Sequence, residues 1–162
     1  MFKKYNWQQP IFKNDVITVI IFGLTAAILG GILSGLIDAL MLSIGVGVTF
    51  SLLICALLVG FAVKKAYSSY HILYPTLSLL FYLIALFFSF VGKSVGVLGI
   101  SQIGTVFRAP ITYYYFIVGP IIGLTNVFKV TFDFLNLLFA ILNIVFYVLG
   151  FYGVYRIAKG NN

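Results

Sequence analysis

Very few residues in this chain have the chemistry to do more than pack, and most of those lie in or beside long apolar runs. Asn136 and Asn143 stand seven residues apart inside the uncharged stretch Phe134–Tyr155, with Tyr147 four residues further on. On a helix, Asn136, Ala140, Asn143, Tyr147 and Gly150 share one face. An amide pressed against hydrocarbon loses its water partners, so it needs a protein partner or a wet cavity. Two readings follow: interhelical hydrogen bonding, or a polar line facing a pathway or ligand. A second set is ionic. Asp38, Lys93, Arg108, Lys129 and Asp133 all fall between apolar runs and can gather at one end of a bundle. Arg108, leading into Ala109 and Pro110, is placed to contact an anion from a segment hung over that end. Ordinary interfacial charge pairing is the competing reading.

No catalytic set can be assembled. His71 is the single histidine and Cys55 the single cysteine, and there is no Glu. The only acids are Asp15, Asp38 and Asp133. No phosphate-binding glycine loop, His-Glu-x-x-His or paired-Cys motif occurs. Cys55 lies within an apolar run and has no disulfide partner in the chain. We therefore expect a non-enzymatic protein with no cofactor and no metal site.

Composition says where such a chain resides. Hydrophobic residues make up 62% and charged residues 8%, whereas a soluble domain carries about 25% charged residues. Most of the surface must face lipid. The net charge of +7 does not form a nucleic-acid patch, because the cations stand in small groups beside apolar runs, as topology determinants do.

A spanning helix needs about 20 mostly apolar residues. Four stretches qualify, at about 16–37, 44–63, 72–91 and 134–155. The first is too long for a signal h-region and lacks a clear cleavage site. Residues 94–128 are different: one piece is short and glycine-rich, and the other is interrupted by Gly119-Pro120. That segment is expected to be re-entrant or interfacial. Charge decides the count. With four spans and both termini inside, the cytoplasmic side holds Lys3, Lys4, Lys13, Lys64, Lys65, Arg156 and Lys159, and the outer side holds Lys93, Arg108 and Lys129. That is the bias the positive-inside rule requires. Tyr5, Trp7, Tyr67, Tyr70, Tyr74, Tyr152 and Tyr155 mark the inner interface, and Tyr113, Tyr114 and Tyr115 the outer one. The expected fold is all-α, a single transmembrane domain over 1–162.

Small residues should set the packing. Gly23, Ala27, Gly31 and Gly35 recur every four residues, with Ala26, Gly30 and Ser34 as a second ridge that Asp38 extends. Gly47, Ser51 and Cys55, with Ala56 and Gly60, answer them on the second span. Such ridges let backbones approach closely in lipid. The first two spans are expected to form a tight hairpin joined by Asp38–Ser43, leaving one ridge available to another subunit. Ser78, Tyr82, Ala85 and Ser89 share one face of the third span.

The runs Gly30-Gly31-Ile32-Leu33-Ser34-Gly35-Leu36-Ile37-Asp38-Ala39-Leu40, Ile44-Gly45-Val46-Gly47 and Leu58-Val59-Gly60-Phe61-Ala62-Val63-Lys64-Lys65, with the ending Phe151-Tyr152-Gly153-Val154-Tyr155-Arg156-Ile157-Ala158, resemble small four-helix bacterial integral membrane proteins of uncharacterised function. That resemblance implies fold and orientation only and carries no functional residues; the expected location is a bacterial plasma membrane. The first-helix ridge is also similar to that of the substrate-binding subunit of energy-coupling vitamin transporters, which normally has six helices. The expected function is an accessory subunit docking a larger membrane complex, or self-associating, through its small-residue ridges. The alternative is a small transporter, channel or substrate-binding subunit using the Asn136/Asn143 face.

Overall fold

The computed structural model describes residues 11–68, 71–108, 118–119 and 134–160. Helix α1 runs Lys13–Ser43, α2 Ser51–Ala66, α3 Leu73–Leu98, α4 Ile103–Arg108 and α5 Phe134–Lys159, with a single 3-10 turn at Ile100–Gln102. There is no strand among the described residues. Among the described residues, three helices, α1, α3 and α5, are long and apolar enough to cross a membrane. The expected Tyr5, Trp7, Tyr70, Tyr113, Tyr114 and Tyr115 markers, Ala109-Pro110 and the 111–128 stretch apart from 118–119 lie outside the described residues.

Contacts fix the helix directions. Ser34 meets Cys55 and Asp38 meets Ser51, so α1 and α2 are antiparallel. Gly31 lies against Ala85 and Gly35 against Ser89 and Lys93, so α1 and α3 run the same way. Gly47 meets Phe139 and Gly60 meets Ile157, which sets α5 parallel to α2. The start of α1 and the end of α5 therefore share one end of the bundle. Lys13, Lys64, Lys65, Arg156 and Lys159 are at that end, called here the basic end. Asp38 and Lys93 lie toward the far end.

The ridge on α1 does not serve the hairpin as expected. Its most extensive contact is with α3. A Cβ on Gly31 would stand 2.6 Å from the Ala85 carbonyl oxygen, and one on Gly35 would overlap the Ser89 carbonyl oxygen. Gly92 of α3 receives the Ile32 carbonyl in the same way. Gly23 accommodates the Phe81 ring, and Ala27 is fully buried. The second ridge, Gly30, Ser34 and Asp38, turns to α2. The reason is geometric: the two ridges lie side by side on one helix, so they address two different neighbours. The opposite side of α1 is open, with Leu33 62% and Leu40 67% exposed, as a lipid-facing surface is.

The second apolar stretch departs from a helix over 44–63. Helix α1 continues to Ser43 and ends in a Schellman motif: Gly45 N–H donates to the Leu42 carbonyl and Val46 N–H to the Met41 carbonyl, both at 3.0 Å. Gly45 takes φ +84°, which glycine adopts without Cβ strain. Residues 46–50 are then non-helical, and α2 begins only at Ser51. Val46, Val48 and Thr49 are β-branched, and Gly47 weakens helix propagation further. The 16 residues of α2 reach about 24 Å, short of the ~30 Å hydrocarbon layer.

The third stretch, expected to end near 91, runs on to Leu98 through Gly92 and Lys93. Residues 94–98, placed in the re-entrant segment by the sequence reading, are thus the last turn of α3. Gly99, at φ +89°, ends it.

Candidate functional site

The non-helical stretch 46–50 creates a local problem. Its backbone polar groups, and the first N–H groups of α2, have no helical partners. Two side chains solve it. Asn143 of α5 donates from Nδ2 to the Gly47 carbonyl at 3.1 Å and accepts from the Thr49 N–H through Oδ1 at 2.7 Å. One amide thus satisfies one donor and one acceptor of the broken backbone. Asp38 of α1 accepts the Ser51 N–H through Oδ1 at 3.0 Å. Phe50 occupies the N-cap position and offers no side-chain cap, so Asp38 caps α2 from a neighbouring helix. Its negative charge also faces the positive end of the α2 dipole.

These groups surround a cavity of about 280 Å³ lined by Asp38, Thr49, Ser51, Ser89, Lys93 and Asn143 together with Gly47, Leu52, Leu86, Phe90 and Gly119. The polar lining comes from four helices' neighbourhoods: α1, the start of α2, α3 and α5. Ser89 donates to Ser51 Oγ at 2.9 Å, tying α3 to α2. Asp38 is 2% exposed. Its Oδ2 is the one buried side-chain nitrogen or oxygen among the described residues with no hydrogen-bond partner. Lys93, half-buried on α3, lines the same cavity, and its positive charge acts on Asp38.

Below this cavity the bundle closes. Ser34 Oγ and Cys55 Sγ are 3.0 Å apart. Tyr82 donates to the Leu52 carbonyl at 2.9 Å while its hydroxyl presses on Gly150, where no side chain intervenes. Phe151 stands edge-on to both Tyr82 and Tyr147, at 4.9 and 5.0 Å between ring centroids. At the basic end, Tyr67 donates to the Ala158 carbonyl and stacks on Tyr74 at 4.8 Å. His71 accepts the Leu73 N–H at 3.1 Å through Nδ1, and Asp15 takes the Ser68 N–H at 3.1 Å.

Of the residues singled out in the sequence, Asp38, Gly47, Ser51, Ser89, Lys93 and Asn143 meet at the cavity. Tyr147 is half-buried in the aromatic layer away from it, and Asn136 is exposed near the start of α5. Arg108 ends α4, is exposed, and does not line the cavity. Gly23, Ala27, Gly31, Gly35 and Gly60 belong to helix contacts. Thr49 was not singled out. Its signal was the Gly45-Val46-Gly47-Val48-Thr49 run, which is poor helix sequence between two good helices. No group of His, Cys, Asp and Glu among the described residues is placed to hold a metal ion.

No family model, curated protein or solved structure matches the chain, so the reading of its function rests on this geometry.

Proposed function

We propose that the chain is a non-enzymatic four-span integral membrane protein that binds a small polar solute in its far-end cavity, as a transporter or substrate-binding membrane subunit. The observation that carries this reading is the polar cavity beside the non-helical stretch 46–50 that joins α1 to α2. In hydrocarbon, non-helical backbone is tolerated only where protein buries it or where it lines a water-filled cavity. A short α2 completed by the non-helical 46–50 stretch would make the fourth crossing. The shared end of the α1 start and the α5 end agrees with both termini lying on one side. The cations clustered there favour the cytoplasmic side, and the resemblance to bacterial membrane proteins supports a bacterial plasma membrane.

The other reading, an accessory subunit docking through its glycine ridges, has less support. Gly23, Gly31 and Gly35 are already filled by α3, so a partner would have to use a different surface.

The test is co-purification of the solute. The full chain is purified in mild detergent and denatured, and released small molecules are identified by mass spectrometry beside a Thr49→Phe variant that plugs the cavity. We expect a solute enriched in the parent protein alone. Equal recovery from both proteins, or no enriched solute, would contradict the reading.

A further inference from the structure

We propose that the groove between the last turns of α2 and α5, at the basic end, holds a phospholipid of net negative headgroup charge. Its phosphate sits on Lys64 and Arg156, and its acyl chains lie along the exposed apolar side chains beside them. The proposal makes no use of the far-end cavity, so its failure would leave the solute reading untouched. A cavity of about 290 Å³ opens there, bordered by Phe61, Lys64, Gly153, Arg156, Ile157 and Gly160. Helices α2 and α5 run parallel and touch where Gly60 meets Ile157, so the two cations leave adjacent helices at the same end. Arg156 is held in advance: its Nη1 donates to the Tyr152 hydroxyl at 2.7 Å, and its guanidinium carbon stands 5.6 Å from the centroid of that ring. That bond uses one of five N–H donors and leaves the rest of the fork for an anion. Lys64 reaches across from α2, since a Cβ on Gly160 would stand 3.6 Å from Lys64 Cε. No carboxylate borders the cavity among the described residues. Asp15, the acid at this end among them, accepts the Ser68 N–H and hydroxyl.

Size, surroundings and charge select the ligand class. The cavity lies at the lower end of the range for ligand pockets, about 300–1,000 Å³, so it takes a headgroup phosphate and no acyl chain. Four residues back along each helix, in the direction of the membrane interior, stand Leu57 and Leu149, both exposed, and Phe61 on the cavity rim is exposed too. A Cβ on Gly153 would meet nothing within 4 Å, which leaves the way between cations and apolar surface open. A water-soluble phosphate would use the cations alone, whereas a lipid phosphate uses both. The carbonyl ends of α2 and α5 oppose an anion with roughly half a charge each. Lys64, Lys65, Arg156 and Lys159, all in the last turns of those helices, outweigh them. A choline or ethanolamine group would add one more cation to that set, so the headgroup must be net negative. Basic pockets between helices at the cytoplasmic face suit such headgroups.

The experiment is thermal unfolding of the purified full chain in uncharged detergent micelles carrying phosphatidylglycerol or phosphatidylcholine at equal mole fraction. Binding to the folded state alone raises the unfolding midpoint. We expect phosphatidylglycerol to raise it, by roughly 2–4 °C at a lipid concentration about four times the Kd, and phosphatidylcholine to leave it unchanged. Glycerol 3-phosphate, which has the phosphate without the tails, should also leave it unchanged. Lys64→Gln combined with Arg156→Gln should abolish the rise. Lys13→Gln combined with Lys65→Gln removes the same charge from the same end outside the cavity and should keep it. Gly153→Leu fills the open space with both cations in place and should abolish the rise; it decides alone if the first double variant does not fold. An equal rise with both lipids, an equal loss in both double variants, a rise that survives Gly153→Leu, or no rise at all would each overturn the proposal. A rise with glycerol 3-phosphate as large as with the lipid would overturn the lipid as the occupant.

Discussion

The two ends of this bundle handle polar groups in opposite ways. At the basic end, several polar groups are paired locally, while Lys64 and Arg156 border a second cavity of about 290 Å³. Tyr67 reaches the Ala158 carbonyl, His71 the Leu73 N–H and Asp15 the Ser68 backbone and hydroxyl. Ser78 donates back to the Pro75 carbonyl at 2.7 Å within its own helix. At the far end, Asp38 and Asn143 spend themselves on the backbone of another element, and a carboxylate oxygen is still left over. The difference originates in the chain. Helix α2 starts seven residues later than its apolar run, and two neighbouring helices, α1 through Asp38 and α5 through Asn143, supply polar groups that a continuous helix would have supplied itself. A structure that needed only to hold together could have closed the far end with leucines. The proposed solute site lies where these polar groups border a cavity.

Substitutions can break this contrast in a definite order. Gly35→Leu should have the largest effect, because the new side chain would meet the Ser89 carbonyl and Lys93 amide, both backbone atoms that cannot rotate away. Overpacking costs about 1–3 kcal/mol where side chains can yield, and here the α1–α3 contact itself must open. Size-exclusion chromatography in detergent should show loss of the monodisperse species. A single sharp peak with an unchanged midpoint would contradict the packing assigned to that ridge.

Asn143→Leu comes next. It strips partners from the Gly47 carbonyl and the Thr49 N–H together, at roughly 1–3 kcal/mol for each group left buried and unsatisfied. Hydrogen exchange at 47–51 should accelerate while exchange in α3 stays slow. Asp38→Ala should cost ~1 kcal/mol through loss of the α2 cap, with Asp38→Asn nearer the parent protein in thermal unfolding. Tyr67→Phe, at the basic end, removes a single hydrogen bond worth about 0.5–1.5 kcal/mol. It should lower the midpoint slightly and leave exchange at 47–51 unchanged. If Tyr67→Phe loosened that stretch as much as Asn143→Leu does, the two ends would not be separable.

How much of this was legible in the sequence follows from what each signal encodes. Bulk hydrophobicity gave the apolar helices, because composition alone decides whether a chain can cover a soluble surface. The four-residue recurrence of small residues located close helix contacts, since that spacing fixes a face. It did not say which helix would fill which ridge, because two adjacent ridges differ by only one residue in phase and every neighbour is apolar. Asp38 was recognised as extending one ridge, and Asn143 as needing a partner. Their convergence was hidden, because it depends on α2 beginning at Ser51 rather than near Ile44. Propensity over Gly45–Thr49 hinted at that start, but an uninterrupted apolar run masks a helix break when only hydropathy is weighed. Arg108 was drawn toward the site by its charge alone; α4 carries it to an exposed position instead.

The central claim is that water and solute reach the far-end cavity and not the closed half of the bundle. Thiol labelling in intact cells tests it most directly. In a Cys55→Ala background, Thr49→Cys places a thiol on the cavity wall and Ser78→Cys places one in the buried layer. A membrane-impermeant thiol reagent added from outside should modify Thr49→Cys rapidly and leave Ser78→Cys unmodified. An unreactive Thr49→Cys, or equal labelling of both positions, would contradict the account.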